Sequence, residues 1–175
     1  MDKRKEANLR VKRAVSDALF ALMEERPIAK ITVAELIRKA GVARISFYRN
    51  FASIEGVLTG LVRDVLEDFR ATADYDLTQF LSSKHIHRVL EYFYRYRFHI
   101  LSLHRSGYGA MLLNELNRFR ELVAAETTAG AEARYRSCLC TGAVYNTAVV
   151  WLSEETPRPI DAVVQVVLQA FGTTA

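Results

Sequence analysis

The sequence has 175 residues, of which half are hydrophobic and a quarter charged, with three prolines and eight glycines. This length suits one sizeable domain or a small module joined to a medium one, and so few prolines and glycines leave little room for disordered linkers or for the many turns of an all-β fold. No apolar run approaches the roughly twenty residues that a membrane helix needs, and no apolar secretory segment follows the basic N-terminus. We therefore expect a cytoplasmic protein without membrane contacts.

Basic residues are concentrated in the first third of the sequence. Residues 1–58 contain twelve Lys or Arg against seven Asp or Glu, whereas the remainder contains twelve against thirteen. A basic end on a nearly neutral body is typical of a protein that meets a polyanion, although the same balance also suits a solvated basic face without a partner.

Apolar residues recur at spacings of three and four along most of the chain, which predicts amphipathic helices. The first covers about residues 5–25, ends before Pro27 and carries one apolar stripe: Leu9, Val15, Ala18, Leu19 and Leu22. Two short helices follow between residues 31 and 51, and Ser53 begins a longer helix that runs to about residue 72.

The later helices are predicted at about residues 83–102, 110–125, 131–152 and 160–171. Breaks are expected at residues 74–76, 106–109 and 127–130. The Thr156-Pro157-Arg158-Pro159 segment stops one helix and starts the next. The sequence therefore predicts an all-α protein of about nine helices.

Residues 31–51, ITVAELIRKAGVARISFYRNF, predict two short helices joined by a glycine turn. Thr32 is a favourable N-cap, Glu35 three residues later completes a capping box, and Gly41 suits a left-handed turn. The second helix, from about residue 44 to 49, turns Phe47 inward. Such a helix-turn-helix can place its second helix in the DNA major groove, but similar helix pairs occur in proteins that never bind DNA.

The segment from Thr32 to Leu58 closely resembles the N-terminal signature of TetR-family regulators. The shared residues are Thr32-Val33, Ala40-Gly41-Val42, Phe47-Tyr48, Phe51, Ser53, Glu55 and Leu58. The later segment YNTAVVWLSEETPRPIDAVVQVVLQAF is similar, in a less specific pattern, to the ligand-and-dimer domain of the same family.

This resemblance implies a helix-turn-helix DNA-binding domain over residues 1–52 and a helical ligand-binding and dimerisation domain over residues 53–175. It implies a homodimer that pairs through residues 131–152 and 159–171 as a four-helix bundle, where Gly142 and Ala143 permit close approach. The implied partners are a near-palindromic double-stranded DNA operator and a small-molecule effector. Repression is the family's commoner mode, and no cofactor, metal or catalytic residue is expected.

Seven residues are expected at the DNA: Thr32, Ala43, Arg44, Ile45, Ser46, Tyr48 and Asn50. By the resemblance, Tyr48 and Thr32 contact phosphates while Arg44 and Ser46 face the groove, which agrees with the hydrogen-bonding chemistry of these residue types. Other interpretations remain open. Thr32 could be a helix cap alone, Tyr48 an aromatic at a domain seam, and Arg44 a solvated charge.

Four positions depart from the family pattern. Ala43 replaces the usual serine, which removes a helix cap worth about 1 kcal/mol and a phosphate contact. Ile45 places a bulky apolar side chain where DNA would lie, and Ile54 replaces a lysine that sits over the DNA backbone. Ile37 replaces a small residue between the two helices. These changes motivate an alternative, a TetR-shaped interaction protein that regulates transcription through a protein partner.

Two further features are interpreted as structural. The aromatic run at residues 92–98 wraps all faces of a helix, with Phe93 and Tyr96 expected in the core. Cys138 and Cys140 lie too close in sequence for a disulfide framework and diverge on a helix, so both are expected to be buried small hydrophobes.

The four histidines, His85, His87, His99 and His104, lack metal-binding spacing. No phosphate-binding glycine loop, nucleophile elbow or pair of catalytic carboxylates stands out. A small helical enzyme that uses an aromatic-lined cavity is therefore the least favoured interpretation.

Overall fold

The computed structural model describes residues 3–124 and 131–172. Within this part the chain forms nine α-helices and no strand, which confirms the predicted all-α class. The helices are α1 Lys3–Glu25, α2 Val33–Ala40, α3 Arg44–Asn50, α4 Ile54–Ala71, α5 Ser83–Arg95, α6 Arg97–Leu103, α7 Gly109–Ala124, α8 Ala131–Ser153 and α9 Ile160–Ala170. The break expected at residues 127–130 lies outside the described residues.

The first helix packs against α2, α3 and α4 through its apolar stripe. Val15 and Leu19 of α1 are fully buried, as are Leu36 of α2 and Phe47 of α3. Leu9 was expected in the same stripe, but its side chain is half exposed because its neighbours leave that turn of α1 uncovered. The buried stripe begins instead near Val11, which packs against the core.

The predicted single helix over residues 83–102 is wrong in one respect, because the chain turns at Tyr96. That residue has φ −100° and ψ 18°, which ends α5 and starts α6. The expected interruption at residues 106–109 is present as a π-helical turn over His104–Tyr108. Gly107 adopts a φ of 86° there, a left-handed conformation that glycine reaches without strain.

The connection between α8 and α9 is held by side chains that donate to backbone carbonyls. The Trp151 indole Nε1 donates to the carbonyl of Arg158 at 2.8 Å. The Arg97 guanidinium donates to the carbonyls of Leu152 and Glu154, each at 2.8 Å, where α8 ends and its last carbonyls lack helical donors. These bonds fix α9 beside α5 and α8.

One continuous cluster of buried residues extends from α1 to α9. The helix α4 links the N-terminal helices to the later ones, since it contacts both α1 and α7. The division into residues 1–52 and 53–175 stays a prediction. Across the described ranges, no helix is both long enough and apolar enough to cross a membrane.

Candidate nucleic-acid interface and adjoining cavity

The start of α2 is fixed by a reciprocal pair of hydrogen bonds between Thr32 and Glu35. The Glu35 backbone N–H donates to the Thr32 hydroxyl at 3.2 Å, and the Thr32 backbone N–H donates to the Glu35 carboxylate at 3.1 Å. The hydrogen bonds from Thr32, together with the nearby Arg26 guanidinium, lower the pKa of Glu35. The capping box is confirmed, whereas the phosphate contact of Thr32 stays a prediction.

The turn between α2 and α3 depends on Gly41. This residue has φ 63° and ψ 29°, and its N–H donates to the carbonyl of Arg38 at 3.3 Å. The next N–H, that of Val42, donates to the carbonyl of Ile37 at 3.3 Å. The two bonds close the end of α2 and direct the chain into α3.

The helix α3 buries one side and exposes the other. Phe47 is fully buried, whereas Ile45 is 71% exposed and Tyr48 is 48% exposed. Ala43 occupies the N-cap position and provides no side-chain hydrogen bond to the first turn. The helix is therefore anchored by Phe47 and starts without the stabilisation that a serine cap would supply.

Arg44 and Tyr48 lie one turn apart on the exposed side of α3. The Arg44 guanidinium carbon lies 5.6 Å from the centre of the Tyr48 ring, and this ring meets the buried Phe47 ring edge-on at 5.3 Å. Because Phe47 supports the ring, the Tyr48 hydroxyl is held at the surface beside a positive charge. This is the pair of groups best suited to a phosphate and a base edge.

Asn50 and Ser46 are joined to each other within α3. The Asn50 amide Nδ2 donates to the Ser46 carbonyl at 2.8 Å, and both residues are half buried. This bond occupies the amide donors of Asn50 in part. The other five expected DNA residues, Thr32, Ala43, Arg44, Ile45 and Tyr48, are exposed.

Four cations around this surface have no ion pair with another described residue. They are Lys30, Arg38, Arg44 and Arg49, and all are exposed. By contrast, Arg26 pairs with Glu35 and Lys39 pairs with Glu25. The surface around α2 and α3 therefore carries an excess of positive charge available to a polyanion.

Residues 16–61 match the model of the family described as bacterial regulatory proteins, tetR family. The N-terminal region is a TetR-family domain. The match covers α2 and α3 and assigns a helix-turn-helix DNA-binding function in transcription regulation to this part of the chain. Among curated proteins, no match to the sequence is found.

Solved structures show that the likeness in fold extends over nearly the whole chain. A TetR transcriptional regulator from Streptococcus agalactiae 2603V is similar at a TM-score of 0.68 and 21% identity, over 95% of this chain and 96% of that one. The dihydroxyacetone kinase operon activator DhaS is similar at a TM-score of 0.59 and 12% identity, over 91% of this chain and 93% of that one.

A cavity of about 160 Å³ lies behind the TetR-family domain. Its wall is almost wholly apolar and aromatic, and it is formed by side chains from α1 and from α4 to α8. Phe20 and Met23 of α1 and Leu58 and Leu61 of α4 belong to this wall. The helix that supports α2 and α3 is thus also a wall of the cavity.

A few polar groups interrupt the apolar wall, and two of them are strongly perturbed. Burial and the nearby Arg120 guanidinium lower the pKa of His85 to about 4, so its imidazole is neutral at pH 7. Burial lowers the pKa of Arg120 to about 10, which leaves its guanidinium charged at pH 7. His99 also lines the cavity and packs edge-on against Phe20 at 4.3 Å.

The aromatic run and the cysteines are placed differently from one another. Phe93 is buried as expected, while Tyr96 is half buried and lines the cavity. Cys140 is buried in the cavity wall, but the expectation that Cys138 is buried is wrong. Two positions on a helix differ by about 200°, so when one faces the core the other faces away from it.

Sequence reasoning did not identify the cavity residues, because apolar core and apolar pocket have the same pattern. Arg120 was missed as well, since one arginine in an amphipathic helix is normally a surface charge. Within residues 3–124 and 131–172, no group of His, Cys, Asp and Glu side chains is arranged to hold a metal ion.

Proposed function

We propose that this chain is a cytoplasmic, ligand-responsive repressor of transcription that binds a near-palindromic DNA operator as a homodimer. The observation that carries this proposal is the wall shared by the cavity and the DNA-binding unit. Phe20 and Met23 line the cavity from α1, and the same helix packs against α2 and α3. A ligand that displaces these side chains would act directly on the support of the recognition helix.

At the DNA, we propose that α3 enters the major groove. In this arrangement Arg44 reads a base edge and Tyr48 donates its hydroxyl to a phosphate, while the N-terminus of α2 at Thr32 approaches a second phosphate. The groove would also be lined by Ala43, Ser46 and Asn50, which would contribute less to sequence recognition than Arg44. Ile45 would contact a thymine methyl group, the apolar feature that the groove offers.

The homodimer is supported by an exposed apolar face on α8. Tyr135, Leu139 and Val150 recur on one side of this helix and are each about 70% exposed, and α9 exposes Val166. Ala143 continues the same stripe with a small side chain, which allows two helices to approach. A contiguous apolar surface of this kind is normally covered, and a second copy of the same two helices covers it symmetrically.

The response to a ligand would be a shift between two dimer arrangements. One arrangement places the two α3 helices about one turn of DNA apart, and the other does not. A ligand that fits the second arrangement better lowers operator affinity by its difference in binding free energy. The half-buried His99 packs against Phe20 of α1 in the cavity wall, so a ligand in contact with His99 would also bear on α1.

The test is a gel-shift titration with DNA from upstream of the gene, at low salt, comparing three variants. Tyr48→Phe and Arg44→Ala should each weaken specific binding by about tenfold or more, because each removes a contact to phosphate or base. Lys84→Ala is the matched control. It also removes one exposed cation, but it lies in the first turn of α5, outside the helix-turn-helix, where it pairs with Asp74.

Specific binding that is unchanged in Tyr48→Phe and Arg44→Ala would refute the assigned recognition surface. A reporter gene behind the operator gives the direction of regulation. Its expression should rise when the repressor gene is deleted. One of the structurally similar proteins is named an activator, so a fall in expression would assign the opposite direction.

One observation favours a second candidate function, a TetR-shaped protein that regulates through a protein partner. Ile45 is a large apolar side chain that is 71% exposed at the centre of the recognition helix. This alternative would replace the proposed operator binding if two results were found together. The chain would give no specific gel shift at low salt, and the Ile45→Asp variant would lose regulation of the reporter gene.

A further inference from the structure

Arg120 is a charged side chain enclosed in an otherwise apolar wall. The residue lies on α7 and is 8% exposed, and it lines the cavity together with Phe80, His85 and Cys140. The other arginine of α7, Arg118, is half exposed and lies 3.6 Å from the Glu115 carboxylate.

The contacts of the Arg120 guanidinium leave it incompletely satisfied. Its central carbon lies 3.3 Å from the centre of the Phe80 ring, so one face is stacked on an aromatic surface. Its Nε donates to the Ser137 hydroxyl at 3.3 Å, and the Cys140 thiol is a further weak acceptor. Its Nη2 is buried and has no hydrogen-bond partner among the described residues.

The charge of Arg120 also has no counter-ion in the part of the chain that the structure describes. No carboxylate there lies within ion-pair distance of its guanidinium, and no carboxylate lines the cavity. His85, which also lines the cavity, is neutral at pH 7 because its pKa is about 4. A buried cation without an anion is costly, so such a site is strongly complementary to an anion that enters the cavity.

We propose that the cavity takes a small apolar monocarboxylate, whose carboxylate pairs with Arg120 and whose hydrocarbon body fills the aromatic-lined space. This inference rests on the proposed function, since it names the chemical class of the effector. A single cation favours a single negative charge, because a phosphate dianion would leave one charge uncompensated in an apolar wall.

The size of the cavity limits the apolar body. A cavity of about 160 Å³ is close to the roughly 150 Å³ that is known to accept a benzene-sized ligand. The cavity therefore has room for an apolar body of about one aromatic ring or a short alkyl chain. The wall includes Phe69, Phe93 and Phe119, whose rings offer edge and face contacts to an aromatic ligand.

The experiment compares three compounds that share one body and differ in charge: 3-phenylpropionate, 3-phenylpropionamide and 3-phenylpropylamine. Binding to the purified full chain is measured by isothermal titration calorimetry at pH 7. The carboxylate should bind at least about tenfold more tightly than the amide, because it forms charge-assisted hydrogen bonds with Arg120. The ammonium compound should show no binding, since its charge repels the guanidinium.

Two variants locate the preference. Arg120→Met keeps the shape of the side chain without its charge, so it should bind the acid and the amide equally while retaining its affinity for the amide. Arg118→Met is the matched control, an exposed arginine two residues away on the same helix, and should retain the full preference. Thermal unfolding of each variant reports whether the fold persists, and removal of an unpaired buried charge should not lower the stability.

Equal affinity of the wild-type chain for acid and amide, or a preference that persists in Arg120→Met, overturns the assignment of the carboxylate to Arg120. Absence of binding for all three compounds overturns the proposed ligand class as a whole. Neither result affects the gel shift with operator DNA. A failure of this inference is therefore distinguishable from a failure of the proposed regulator function, which shows as loss of specific DNA binding.

Discussion

The Arg63 guanidinium of α4 and the Glu115 carboxylate of α7 form two hydrogen bonds, with N···O distances of 2.7 Å and 2.9 Å. Residues adjacent to both ends of this pair, Val62 and Leu116, line the cavity. The helix α4 begins four residues after α3 ends. The pair therefore joins two helices of the cavity wall, α4 and α7, and α4 is the helix that follows the DNA-reading unit.

Replacing Glu115 with Gln should remove this connection and lower the free energy of unfolding at pH 7 by about 1 kcal/mol, as expected for a partly exposed bidentate pair. The hydrogen bond from Arg63 lowers the pKa of Glu115 below its ordinary value of 4.5. The stabilisation is therefore full above pH 4.5 and is lost as the pH falls through the lower pKa of the folded state.

Urea unfolding of both proteins at pH 7 and in the acid range measures this difference. The gap in stability between wild type and Glu115→Gln should close as the pH falls. Arg38→Gln is the control, since it removes an exposed arginine that has no ion pair with a described residue and leaves every contact of Glu115 in place. A gap that is the same at every pH would show that the pair does not stabilise the fold through its charge.

Much of the fold could be predicted from local patterns in the sequence. The capping box at Thr32, the left-handed Gly41 and the inward Phe47 are all determined by residues close in sequence, and the structure places each as expected. The proline-flanked start of α9 is of the same kind. Such features depend on helix caps and turns, which need no knowledge of distant contacts.

The features that could not be predicted depend on contacts between distant helices. Tyr96 breaks a helix whose apolar pattern continues on both sides, and Arg97 next to it donates to carbonyls more than fifty residues away. Arg120 is buried only because α7 packs against α8 and Phe80 lies over its guanidinium. Sequence spacing carries no signal for such a contact, so the residues of the cavity could not be identified in advance.

The dimer surface makes a prediction about oligomeric state. Leu139→Glu introduces a charge at the centre of the exposed apolar face of α8 and should convert a dimer into a monomer, because each subunit would bury an unpaired carboxylate at the interface. Sedimentation velocity at micromolar concentration measures the mass. Leu9→Glu, which places the same charge on a half-exposed leucine of α1, should remain dimeric. A dimeric Leu139→Glu protein would exclude α8 as the interface.

The uncapped start of α3 predicts a gain of function. Ala43 has the extended conformation of an N-cap, with φ −68° and ψ 142°, and lacks a side-chain acceptor. Ala43→Ser should stabilise the protein by about 1 kcal/mol, because the hydroxyl accepts a hydrogen bond from the first turn of α3. The same hydroxyl can contact a phosphate, so operator affinity in the gel shift should rise as well.

Ala43→Val serves as the comparison for this variant, because valine supplies no acceptor at the same backbone position and is as poor an N-cap as alanine. A rise in the urea midpoint for Ala43→Ser without a rise in operator affinity would restrict the role of position 43 to helix capping. A midpoint at or below that of the wild type would contradict the capping argument itself.

The buried His85 predicts how stability depends on acid pH. Its imidazole is 4% exposed and surrounded by aromatic rings, and its Nδ1 lies 3.3 Å from the Tyr75 hydroxyl. Burial, with a contribution from the Arg120 charge, lowers its pKa from 6.5 to about 4. In the unfolded chain the imidazole takes up its proton near pH 6.5, whereas the folded protein resists protonation until about pH 4.

The contribution of the neutral His85 to the free energy of unfolding is therefore fully present above pH 6.5. It is lost as the pH falls towards 4, because the unfolded chain binds the additional proton. At about 1.4 kcal/mol for each pH unit, the total loss is roughly 3 kcal/mol. In His85→Phe, which keeps an aromatic ring in the same surroundings, this part of the loss should disappear. Urea unfolding between pH 7 and 4 measures how the free energy of unfolding depends on pH in both proteins.

His87→Gln is the control. It removes a histidine that is 39% exposed and keeps His85, so the loss attributed to His85 must persist there. An equal slope in His85→Phe and wild type would show that His85 does not govern the acid response, and the neutral imidazole beside Arg120 would then need another explanation.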